Sequence, residues 1–119
     1  MAITSYRELT VWQRSIELVI EVYNLTDQFP KEEIFGLTSQ MRRAAVSISS
    51  SSNIAEGRTR GYRKEFRQFL LSAFASGAEL ETQIIISRKL PKTSRFDYKK
   101  VDGLLSEIMR MLNVLINKL

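Results

Sequence analysis

Placed on a helical wheel at about 100° per residue, the apolar positions of this chain sort into four amphipathic segments. The first runs from Thr10 to Phe29, with Trp12, Ile16, Val19, Ile20 and Tyr23 on one face. Thr10 with Gln13 offers a capping box, as does Ser5 with Glu8. Pro30 ends the segment, because the residue before a proline avoids the α region. The second runs from Thr38 to Glu56 on a stripe of Met41, Ala44, Ala45 and Ile48, small enough for a neighbouring helix to come close. The serines at 49–52 interrupt it, since their hydroxyls compete for backbone groups. On a straight helix Ile54 would lie roughly 220° from Met41, nearly opposite the stripe. A bulge of about two residues in the serine run returns Ile54 to line, so a π-type bulge or a loosened turn is expected there.

The third segment runs from Tyr62 to Lys89, with Phe66, Phe69, Leu70, Ala73, Gly77, Leu80 and Ile84 on one face, and Pro91 closes it. The fourth runs from Asp97 to Leu119, and Ser94 with Asp97 resembles a cap. Its stripe is Val101, Leu104, Leu105, Ile108, Met111, Leu112, Leu115, Ile116 and Leu119. Asp102, Ser106, Arg110, Asn113 and Asn117 face away from that stripe. Four such helices with short connections imply one all-α domain over residues 1–119, an antiparallel up-down-up-down four-helix bundle.

Two helices carry more apolar surface than one buried stripe needs. On the first, Val11, Leu18, Val22 and Leu25 form another stripe; on the third, Leu71, Phe74, Ala78 and Ile85 widen the apolar arc. This surface is expected to meet a partner, most economically another copy of the chain, so a homo-oligomer is predicted through these eight positions. The competing reading is that they only broaden the core.

Composition narrows the chemistry. The 119 residues include no cysteine and no histidine. Disulfides and thiol chemistry are therefore excluded, which fits a cytoplasmic location. No imidazole is present to serve as general base or zinc ligand. The Glu-x-x-His pairs of di-iron bundles are missing too. Glu17 and Glu21 share a face with Gln13 and Asn24 that reads as exposed, and Glu79 and Glu81, two apart, do not face each other. The GRTRG run at 57–61 lacks the spacing and ending of a P-loop. No catalytic residue, metal site or cofactor is therefore assigned. No apolar run approaches the ~18 residues of a membrane span, and the N-terminus has no signal-peptide pattern, so no membrane association is expected.

The formal net charge is +5 and the pI about 9.7. The first 41 residues are net acidic, so the cations concentrate later. Arg42, Arg43, Arg58, Arg60, Arg63, Lys64 and Arg67 form one cluster; Arg88, Lys89, Lys92, Arg95, Lys99 and Lys100 form another. Bundle topology sends residues 58–67 to one end, and 88–100 to the other, with Arg42 and Arg43. Clustered cations attract phosphates and release counterions, so RNA or single-stranded nucleic acid is the expected partner. Tyr62 can stack on a base, whereas Phe66 reads first as core. The alternative is a scaffold whose basic ends dock an acidic or nucleic-acid-bound partner protein. Asn53, Glu56 and Gly57 read as a helix stop, with Gly57 able to take positive φ, or as a partner contact.

The segments YRELTVWQRSIEL, FPKEEIFGLTSQMRRAAVSI, SNIAEGR, KEFRQFL, AELETQI and MLNVLINKL occur in this order along nearly the whole chain. In them the chain resembles the four-helix-bundle family encoded by intervening sequences within bacterial 23S ribosomal RNA genes. The resemblance implies an antiparallel bundle that assembles as a homo-oligomeric ring, with five copies (a homopentamer) as the expected number. The chain is also distantly similar to accessory proteins of diversity-generating retroelements, basic rings thought to bind nucleic acid and a reverse transcriptase. Two departures stand out. The serine run at 49–52 looks two residues longer than the family's junction, and Tyr62 replaces a serine that commonly caps the third helix.

Overall fold

The computed structural model describes residues 9–50 and 63–119. Helix α1 spans Thr10–Thr26, α2 Ser39–Ser49, α3 Arg63–Lys89 and α4 Lys99–Asn117. A 3-10 turn at Lys31–Glu33 and a π turn at Ile34–Thr38 join α1 to α2. Among the described residues there is no strand. Helices α1 and α3 each pack on both α2 and α4, so the four surround one core.

Side-chain contacts fix the directions. Arg14 on α1 pairs with Glu107 at the middle of α4, while Glu21 pairs with Lys100 at its start, so α1 and α4 run antiparallel. Arg88 near the end of α3 pairs with Asp102, while Gly77 lies against Met109, which makes α3 and α4 antiparallel as well. Ser47 and Ser76 share a hydrogen bond of 2.9 Å, and Glu32, ahead of α2, pairs with Lys92, just after α3. The start of α2 therefore sits at the end of α3.

The stripes of α2 and α4 enter the core as the pattern predicts. Met41, Ala44, Ala45 and Ile48 are buried, as are Val101, Leu105, Ile108, Leu112 and Ile116. On α3 the buried line is Leu70, Ala73, Leu80 and Ile84, with Phe66 half-buried against it. Helix α4 begins after Tyr98, which makes no side-chain cap bond; the carboxylate of Asp97, one residue earlier, accepts the Lys99 N–H at 2.9 Å, and the Ser94 hydroxyl turns to the Pro91 carbonyl instead of capping. Helix α1 begins without a side-chain cap; the Leu9 carbonyl takes the Trp12 and Gln13 N–H groups, and the Thr10–Gln13 box does not form.

Two expectations are corrected. The first concerns α1, whose inner face is Val11, Leu18, Val22 and Leu25, all exposed by 4 % or less. These four cannot be an outer interface of the protomer. Ser15 and Thr26 are buried beside them, their hydroxyls donating to the Val11 and Val22 carbonyls. The stripe expected inside lies on the flank: Trp12 and Val19 are half-buried against the edge of the core, Ile16 is half-buried, Tyr23 is exposed, and Ile20 is 55 % exposed. The cause lies in the neighbours. Arg14 and Glu21 hold α4 on one flank, Arg42 holds α2 against Thr26 on the other, and the Val11 stripe lies between them.

The second concerns α2, expected to run to Glu56: it ends at Ser49, with Ser50 extended (φ −62°, ψ 146°). The break comes where the serine run begins; Ile54, Asn53, Glu56 and Gly57 lie outside the described residues. A π turn does occur, but ahead of α2. There Gly36 has φ −108° and ψ −113°, and the Glu33 carboxylate accepts the Leu37 N–H at 3.2 Å. A Cβ on Gly36 would lie 2.9 Å from that carboxylate, so glycine keeps the contact possible.

The apolarity of α3 is a separate matter. Lys64–Lys89 is long and apolar enough, by length and composition alone, to cross a membrane, and a third of its most apolar window is buried in the bundle. Glu79 and Glu81 interrupt the run but leave its mean hydropathy high. The outward face of α3 is accordingly apolar, with Leu71, Ile85 and Ile86 exposed.

Candidate functional site

The turn between α3 and α4 and the start of α2 form one end of the bundle. Thr93 is buried there, its hydroxyl donating to the Ser87 carbonyl at 2.6 Å, while the Tyr98 hydroxyl donates to the Thr93 carbonyl at 2.8 Å. Phe96 stacks on Phe29 from the α1 side, with centroids 5.5 Å apart. On this frame the structure gathers six of the predicted phosphate contacts: Arg42, Arg43, Arg88, Lys89, Lys92 and Arg95.

They are not alike. Arg42 is a clamp between α1 and α2. Its Nε donates to Thr26 Oγ1 at 2.9 Å, a second nitrogen lies 3.5 Å from Asp27, and the guanidinium sits 4.3 Å from the Tyr23 ring centroid. Arg88 pairs with Asp102 and lies over Tyr98. Lys92 pairs with Glu32; their hydrogen bond raises the lysine pKa and lowers that of the carboxylate. Arg95 lies over Phe96 but makes no ion pair among the described residues. Arg43 and Lys89 are exposed and likewise make none.

At the other end, Lys64 is exposed and Arg67 half-exposed, both without an ion pair among the described residues. Arg63 is the first residue of α3, and its side chain is outside the description, as are Arg58, Arg60 and Tyr62. Among the eight predicted interface positions, Leu71, Ala78 and Ile85 on α3 are exposed and Phe74 is half-buried.

One feature escaped the sequence analysis. Phe35, in the π turn, is 95 % exposed, beside an exposed Ile34. It rims an open groove of about 890 Å³ between α1, the turn and α2, whose lining includes Tyr23, Lys31, Arg43 and Val46. The signal was available: Phe35 lies in a connection, outside every apolar stripe, where no core claims it.

No curated protein matches the chain significantly. A family model does, over residues 7–114, and its description names a gene insert rather than a reaction. With a bundle of the expected kind beneath that match, the chain belongs to the 23S rRNA-intervening sequence protein family.

Proposed function

We propose that the protein is a non-enzymatic basic bundle that works as a homo-oligomeric ring and binds RNA or single-stranded nucleic acid. Binding runs through the arginine- and lysine-rich ends with little sequence specificity. The observation that carries this is the end built on Thr93, where Lys89 and Arg95 project without ion pairs among the described residues from a frame held by buried hydrogen bonds. Lys64 and Arg67 supply the same chemistry at the far end. Self-association is supported by the exposed apolar side chains of α1 and α3, Ile20 and Ile85 among them.

The test is single-stranded RNA binding measured across a salt series. Removing one cation that neutralises a phosphate should flatten the logarithmic salt slope by about 0.7. Reversing Lys89 and Arg95 to glutamate should therefore weaken binding and flatten the slope. Retention that ignores both these changes and salt would favour the scaffold reading, in which the ends dock a partner protein.

A further inference from the structure

The exposed groove around Phe35 and the outer face of α3 complement each other. The groove offers apolar Ile34, Phe35 and Val46, all exposed, together with two cations, Lys31 and Arg43, that make no ion pair among the described residues. The outer face of α3 offers Leu71, Ile85 and Ile86, with small Ala75 and Ala78 between them, all exposed. It also offers two exposed carboxylates, Glu79 and Glu81, that make no ion pair among the described residues.

We infer that the Phe35 groove of one protomer receives the outer face of α3 of a second copy, head to tail. This rests on the self-association proposed above and names its two faces. The register follows from the hydrogen bond between Ser47 and Ser76, which sets those positions level along the bundle. Because α2 and α3 run in opposite directions, Arg43 lies about level with Glu79 and Glu81, and Val46 with Ala78. Ile34 and Phe35, ahead of α2, fall towards the level of Ile85 and Ile86. In a ring whose axis follows the bundle, neighbouring copies keep these heights, so Arg43 meets the two carboxylates and apolar side chains meet apolar ones, while Lys31 lies beyond them at the level of the Glu32–Lys92 pair. The two faces differ, so the contact is heterologous and builds a ring or a filament rather than a two-fold dimer. It also assigns Arg43 to the subunit contact instead of to phosphate.

The experiment is solution mass by light scattering over a concentration series, with circular dichroism as a check on folding. The wild type should exceed its protomer mass of 13.7 kDa severalfold. Phe35→Ala should raise the concentration for half-assembly roughly tenfold or more, as for an aromatic anchor at an interface. Arg43→Glu should weaken assembly, as should Glu79→Arg with Glu81→Arg. Arg43→Glu combined with Glu79→Arg and Glu81→Arg should restore it. A wild type that stays at protomer mass overturns the ring reading and this contact with it. A wild type that assembles while every groove variant still assembles overturns the contact alone. Groove variants that keep assembly but lose RNA binding also overturn it, and would make the groove a nucleic-acid site.

Discussion

Arg42 and Arg43 are adjacent and chemically identical, yet the fold gives them different tasks, which makes Arg42→Ala a sharp test. Arg42 is about one-quarter exposed and reaches three groups on α1. Its hydrogen bond to Thr26, from a charged donor in a half-buried setting, contributes about 1.5–3 kcal/mol. Its position over Tyr23, itself exposed, adds about 0.5–1 kcal/mol. The ion pair with Asp27 adds little, because Asp27 is 85 % exposed and solvent screens it. Thr26 keeps its own bond to the Val22 carbonyl when the arginine leaves, so no buried donor is stranded. These contributions overlap, and a net loss of about 2 kcal/mol is expected, set against a stability of about 5–15 kcal/mol for a domain of this kind. Arg43→Ala, with no ion pair among the described residues to break, should stay within about 0.5 kcal/mol. Urea unfolding of both variants at low protein concentration, with equal m-values, measures the difference. Equal stability of the two variants would refute the clamp and return Arg42 to the phosphate-binding set.

Two further outcomes follow from the geometry. Leu18→Ala should cost about 2–5 kcal/mol by leaving a cavity, while Ile20→Ala should cost less than about 1 kcal/mol in the isolated protomer; the reverse order in urea unfolding would put the Trp12 face of α1 inside. The Glu32–Lys92 tie should stand across neutral pH. The carboxylate pKa is lowered by the lysine, so its contribution is present above the ordinary carboxylate range and lost as pH falls through the folded value. The lysine pKa is raised, so its contribution is present below the ordinary lysine range and lost as pH climbs through the folded value. Carboxyl NMR titration should show the Glu32 midpoint rise in Lys92→Ala; an unmoved midpoint would remove the tie.

The four helices and the inner faces of α2 and α4 are legible in the sequence because each of those two helices carries a single apolar stripe. The inner face of α1 is not. Its Val11 and Trp12 stripes lie at roughly equal angles from the polar face around Glu17, so periodicity alone cannot choose between them. The choice is made by which stripe packs between α2 and α4, a placement marked by contacts between residues far apart in sequence, such as Arg14 and Glu107. The end of α2 has a local reason: the serine run predicts a distortion, and the backbone leaves the helix at Ser50. The basic ends are legible as composition, but which cations turn outward depends on where Asp27, Glu32 and Asp102 lie in space. Phe35 belongs to no periodic segment, and its role is visible only once α1 and α2 flank it.

The clasp formed by Thr93, Tyr98 and Phe96 has a consequence for engineering. Most surface connections between helices accept an inserted residue, a tag or a protease site with little harm. An insertion between Leu90 and Tyr98 would instead unseat two buried hydroxyl anchors and an aromatic stack at once. This hairpin is therefore expected to behave as a fixed-length part, with slow amide exchange, and grafted sequence belongs elsewhere.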